Sequence, residues 1–137
     1  MNPNSWGIFH DGGLDKIKGE IPGELNLNIG ILYLRQMFPG VGSGFIVYLK
    51  NYTLLEYTEY SEQPTRDLSL IEKSELELVS VESTNPILLN CVTGTLQLAY
   101  ETASVTLDTG EPVTDSELAS ASKKYWETWK QKWQKGS

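Results

Sequence analysis

Residues 24–35 read ELNLNIGILYLR, and the alternation within them decides the fold. Leu25, Leu27, Ile29, Ile31 and Tyr33 fall on one face of an extended chain, with Asn26, Asn28 and Gly30 on the other. A period of two with one apolar side is the signature of a strand resting on a core. Leu32 and Leu34 make the far end apolar on both sides, so the pattern predicts one long strand that becomes two-sided near Arg35.

The pattern continues in both directions. LDKIKGEI (14–21) predicts a neighbouring strand, joined to the first by a tight turn at Pro22-Gly23. MFPGVGSG (37–44) predicts a loop. FIVYLKN (45–51), TLLEYTEY (53–60), LELVSVES (76–83), PILLNCV (86–92) and TLQLAYETASVTLD (95–108) supply further strands. RDLSLIEKSELE (66–77) fits a short helix, Thr93-Gly94 a two-residue hairpin turn, and TGEPV (109–113) a linker.

At Thr114 the periodicity changes. TDSE (114–117) is a capping box, in which the Thr114 hydroxyl accepts from the Glu117 amide and the Glu117 carboxylate accepts from the Thr114 amide. Asp115 and Glu117 sit in the first turn, and Lys130, Lys132 and Lys135 lie towards the end, as the helix dipole favours. On this helix Leu118, Ser122, Tyr125, Trp126, Trp129 and Trp133 form one stripe. Within it KKYWETWKQKW (123–133) holds three of the chain's four tryptophans and four of its eleven basic residues. A helix with so large an apolar face is expected to cover an open sheet face, with Trp133 at the rim.

The fold class is therefore α+β and mostly antiparallel β: about seven or eight strands in a curved sheet or flattened barrel, with a C-terminal amphipathic helix packed on it. The 137 residues make one domain, with a β-rich body at 1–113 and the helix at 114–135.

Charge and composition narrow the function classes. The net charge is −7, but residues 1–113 carry 15 acidic and 6 basic side chains while residues 114–137 carry 3 and 5. An acidic body argues against nucleic acid, which needs a clustered positive field, and suits a basic protein. The longest apolar runs are far short of the ~20 residues that span a bilayer. No basic-then-apolar leader opens the chain, so the expectation is a cytoplasmic protein that is not membrane-bound. Asn51-Tyr52-Thr53 matches a glycosylation sequon, which has no meaning in that setting. The single Cys91, in an apolar run, reads as a buried structural thiol in a reducing compartment.

No motif fixes a reaction, and the expectation is that the chain is not an enzyme. His10, the one histidine, stands beside Asp11 in WGIFHDGG (6–13). HDGG reads as a turn, in which Asp11 bonds the following backbone and the glycines take positive φ. Without a second histidine or cysteine no common zinc site can form, so no metal or cofactor is expected. PGVGSG (39–44) looks like a phosphate cradle but lacks the following Lys-Ser/Thr and the helix, which makes it a mobile loop. In LEYTEY (55–60), period two gives a solvated face rather than a catalytic carboxylate pair.

FHDG (9–12), with an aromatic before it and alternating strands after it, resembles a loose group of small uncharacterised bacterial β-rich domains. Some of that group resemble immunity proteins of polymorphic toxin systems. The resemblance covers Trp6 to about Ile17 and the strands beyond, and it does not extend to the Tyr/Trp-rich helix. It implies a bacterial protein that neutralises a toxin. The leading expectation is accordingly a non-catalytic protein-binding domain, an immunity-type inhibitor of a basic toxin. Its contacts would be Glu56, Glu59 and Glu62, with Trp133 as a rim anchor. The alternatives are a binder of small apolar ligands, with a pocket between sheet and helix, and a hydrolase or metal site at His10 and Asp11.

Overall fold

A computed structural model of the chain describes residues 1–19, 23–60 and 62–135, the side chains of 132–135 excepted. Pro22 of the expected first turn and the Trp133 side chain lie outside the described residues. The fold is α+β and antiparallel, with nine strands among the described residues arranged in two sheets that are not closed into a barrel. An N-terminal 3₁₀ segment, Pro3–Phe9, leads into β1 (Gly13–Gly19) and β2 (Glu24–Gly30). One helical turn follows, α1 (Leu32–Arg35), then β3 (Gly44–Lys50), β4 (Leu54–Glu59) and α2 (Leu68–Lys73). The remainder is β5 (Leu78–Thr84), β6 (Ile87–Cys91), β7 (Gly94–Ala99), β8 (Thr102–Leu107), β9 (Pro112–Val113) and α3 (Asp115–Lys135). One sheet runs β1-β2-β3-β8-β9 and the other β4-β7-β6-β5.

The two sheets come from one bent ribbon. β3 pairs with β8 from Phe45↔Leu107 to Lys50↔Thr102, and β4 pairs with β7 from Leu54↔Ala99 to Glu59↔Gly94. At the corner Asn51 takes φ 51° and the pairing carries through. The Glu101 amide donates to Lys50 O (3.0 Å), the Thr53 amide donates to Ala99 O (2.8 Å), and the Asn51 amide side chain donates to the Glu101 carboxylate. Both strands thus pass together from one sheet to the other, the device by which stacked sheets turn corners. On the opposite flank β1 and β5 meet only in a short exchange. The Leu14 amide donates to Leu76 O, and the Leu78 amide to Gly12 O. Alternate residues of both sheets fill one core, among them Leu25, Leu27, Phe45, Val47, Leu89 and Leu96.

Edges of the sheets are guarded. The Ile17 amide on the outer side of β1 donates to the Glu72 carboxylate (3.0 Å), and Thr65 exchanges both backbone hydrogen bonds with Tyr57 along β4. An occupied edge cannot template a foreign strand.

Four expectations are corrected. The long strand ends at Gly30, and the buried positions beyond it are Ile31, Leu34 and Arg35, a helical spacing that leaves Leu32 57 % exposed. The second hairpin turns at Val92-Thr93. Gly94 already lies in β7, where a Cβ would stand 2.2 Å from Thr58 O, so it is a glycine for close approach rather than for turning. TGEPV is not a linker: it turns at Gly110 (φ 106°) and returns as β9 beside β8, with Val113 buried. The α+β, mostly antiparallel architecture stands, but its strands divide between two sheets rather than forming one curved sheet or flattened barrel.

The capping box forms as expected, with the Glu117 amide donating to Thr114 Oγ1 and the Thr114 amide to Glu117 Oε1, both at 3.1 Å. α3 packs on the body through Leu118 and Ala121, which join the core. Thr114→Ala should lower stability by about 1 kcal/mol in urea unfolding, with a loss of helical ellipticity.

Candidate functional site

The tryptophans do not form the expected lid. After Ala121 no described residue of α3 is fully buried, and Trp126 and Trp129 are 38 % and 43 % exposed. The reason lies in α1. Its single turn directs Tyr33 against Tyr125 (ring centroids 4.5 Å apart) and Trp126 (5.9 Å), while Trp126 meets Trp129 edge-on at 5.9 Å. The rings therefore stack on one another and on Tyr33 of the body, and Trp126 and Trp129, with Leu32, stay partly exposed. The result is a ladder of Tyr33, Tyr125, Trp126 and Trp129 on the outside of the domain. Sequence periodicity identifies the stripe; it cannot show that, among the described residues, Tyr33 is the ring of the body that meets it.

His10 and Asp11 lie next to this ladder. The Tyr33 hydroxyl donates to His10 O (2.6 Å), and burial, with Asp11 and Tyr125 adding to it, pushes its pKa up to about 12. Asp11, rather than either glycine, takes the positive φ (69°). Gly12 is required for a different reason, since a Cβ would meet Ile29 Cγ2 and Phe9 O at 2.8 Å. His10 Nδ1 lies 2.5 Å from Val79 O, and Nε2 is 3.4 Å from Asp11 Oδ2. The pair does converge, yet one ring nitrogen is held by backbone of β5, so the imidazole staples the first turn to the second sheet. No group of three potential metal ligands exists among the described residues.

The glycine loop is tied to the body through Pro39, Ser43 and Gly44. It wraps the buried guanidinium of Arg35, a residue no motif singles out. Arg35 Nε donates to Asp108 Oδ1 (2.9 Å) and Nη1 donates to Pro39 O (3.1 Å). The Ser43 and Gly44 amides donate to Asp108 Oδ2 at 2.8 and 3.2 Å. The loop does cradle an anion, and the anion is the chain's own carboxylate. A Cβ on Gly42 would stand 2.2 Å from Asp108 Oδ1, so a side chain there would split the pair.

The predicted acidic contacts separate. Glu56 is half-buried and bonded to Arg66 (2.8 Å) on the outer face of β4. Glu59 and Glu62 line one concavity of about 340 Å³ with Leu70 and Lys73, beside the exposed Tyr60. A groove of about 490 Å³ lies at the ribbon corner, lined by Ile87, Leu98 and Tyr100 among others. A third hollow of about 200 Å³ lies between Asp15, Asn28 and Asp108. None of these three is lined by a residue of α3, so the apolar pocket expected beneath the Trp helix is not among them. Cys91 is buried, and burial alone pushes its thiol up to about 11. No described helix is long and apolar enough to cross a membrane. No family model, curated protein or solved structure gives a significant match to this chain.

Two outcomes follow from these contacts. Burial pushes the Asp108 carboxyl up, but the bonds from Arg35 and the two loop amides together outweigh it and hold it below its ordinary value. A depressed native pKa contributes stability that is present above the unfolded value and lost as pH falls through the native one. Urea midpoints should therefore drop below about pH 4, and Asp108→Asn should flatten that limb while costing about 2–3 kcal/mol at pH 7. His10→Ala should lower stability by about 1 kcal/mol through loss of the Val79 contact, measured by the same unfolding curves.

Proposed function

We propose that this chain is a non-catalytic protein-binding domain whose contact surface is the aromatic ladder of α3 with Leu32. The observation that carries the reading is the exposure of Trp126 and Trp129 side by side on a rigid helix whose base is locked into the core. Aromatic rings presented on a fixed element give large contact area at little entropic cost, and tryptophan and tyrosine dominate the energetics of interfaces. His10, the one side chain suited to general-base work near neutral pH, is committed to Val79 and Asp11, which favours binding over catalysis. The proposal includes a cytoplasmic setting, which suits the buried free thiol of Cys91.

A narrower reading, an immunity-type inhibitor of a basic toxin in a bacterial cell, draws on a second surface. It is supported by the concavity that Glu59 and Glu62 share beside Tyr60, and by the net charge of −7. There the partner's cations would be steered by the acidic body.

The test is capture by the tagged domain from lysate of the cells that encode it, at low and high salt, with mass spectrometry of what is retained. A partner held by the wild type should be retained about tenfold less by Trp126→Ala/Trp129→Ala, with an unchanged melting temperature. Equal retention by the variant would overturn the assignment of the surface. A salt-sensitive partner lost on Glu59→Lys/Glu62→Lys would point to the second surface instead.

A further inference from the structure

Resting on that reading, we infer that the occupant of the aromatic ladder is an amphipathic segment of another protein, apolar on one face and carrying carboxylates along one flank only. The argument is the sign and placement of the charges that border the rings. At about 100° per residue, Lys123 and Lys130 fall about 40–60° to one side of Trp126, and Tyr125 falls about 100° to the other. The lysines thus stand two turns apart along the solvent flank of the ladder, and both are exposed. Among the described residues neither has an ion-pair partner. The opposite flank is the body, where the Tyr33 hydroxyl donates to His10 O and the next residue, Asp11, keeps a side chain that is 55 % exposed. The ladder is therefore bordered on one side by Lys123 and Lys130, with Glu127 farther round the same side at about 100° from Trp126, and by Asp11 on the other. A segment laid along it gains from carboxylates facing Lys123 and Lys130 and loses from carboxylates facing Asp11. The asymmetry fixes which way round the segment lies.

A second copy of the chain fits less well. Antiparallel pairing of two α3 helices brings the same flank of each together, so Lys123 and Lys130 would face their own counterparts. Parallel pairing would press the lysine flank of one copy against the flank that Tyr33 and the body already occupy. An anionic bilayer would attract the lysines, as amphipathic helices with tryptophan and lysine are attracted. It would also meet Asp11 and a body that carries nine more negative than positive charges over residues 1–113.

The experiment uses two synthetic helical peptides with the same leucine face, one bearing glutamates along one flank and the other lysines at the same positions. Binding is read at low salt from the fluorescence polarisation of a dye on each peptide. The glutamate peptide should bind about tenfold more tightly than the lysine peptide, and Lys123→Glu/Lys130→Glu should reverse the preference. Trp126→Ala/Trp129→Ala should abolish binding of both. Equal affinities that both vanish in the tryptophan variant would overturn the acidic flank and leave the protein-contact surface standing. Binding of neither peptide, or a preference unmoved by charge reversal, would also overturn the inference. So would a dimer in sedimentation that Trp126→Ala/Trp129→Ala dissociates, or association with phosphatidylserine-containing vesicles that displaces the peptide.

Discussion

The Arg35–Asp108 pair is the constraint on which the functional face of this domain depends. A guanidinium that is 1 % exposed needs acceptors, and here they meet Nε and Nη1 while Nη2 is buried without a partner. Three come from the segments around it: the Asp108 carboxylate at the end of β8 and the Phe38 and Pro39 carbonyls of the loop. Bringing Arg35 to them requires the chain to leave the extended conformation after Gly30 and turn once as α1. That turn sends Ile31 and Leu34 inward and Leu32 and Tyr33 outward. Tyr33 in turn receives Tyr125 and Trp126, so the buried ion pair places the rings that α3 presents. Such a pair adds little to stability against an apolar replacement, but removal of either partner strands the other. Its role is to specify where the chain turns.

What could be read in the sequence followed the range of the interactions. The capping box at Thr114 and Glu117 is local and forms as its spacing requires. The alternation in residues 24–30 and in the later strands identified β structure because each strand has one face on the core. Beyond Gly30 the reading failed for a physical reason. ILYL satisfies both a period of two and a helical spacing, and the choice is made by Asp108, more than seventy positions away in the chain. Gly94 shows the same thing on a smaller scale, because its role is set by the approach of Thr58 across the ribbon. The linker at 109–113 became a strand because Val105 and Thr106 were there to pair with it.

The candidate surface was half legible. Helical periodicity put Tyr125, Trp126 and Trp129 on one stripe, and composition showed lysines among them. Which face of that stripe is covered depends on the two-sheet arrangement, which sets Tyr125 and Trp126 of α3 beside Tyr33 of α1. Strand alternation in LEYTEY already puts Glu56 and Glu59 on different edges, and what only the structure adds is Arg66, which pairs with Glu56. Asp11 takes its place from a left-handed turn, φ 69°, that sets its carboxylate beside the His10 ring.

The bent ribbon has a consequence for how the chain reaches this state. Its strands join residues from Glu59↔Gly94 outward to Phe45↔Leu107, with α2, β5 and β6 carried between them as an excursion. Closing that excursion costs chain entropy before the first ribbon contact repays it. Folding therefore belongs to the slow, high-contact-order class, and the order of events is set by topology. The β5–β6–β7 meander, with its short connections, is the part able to form first, and each ribbon pair that closes shortens the search for the next. The corner at Asn51 and Glu101 lies midway along that ribbon, so pairing in one sheet is handed to the other through it.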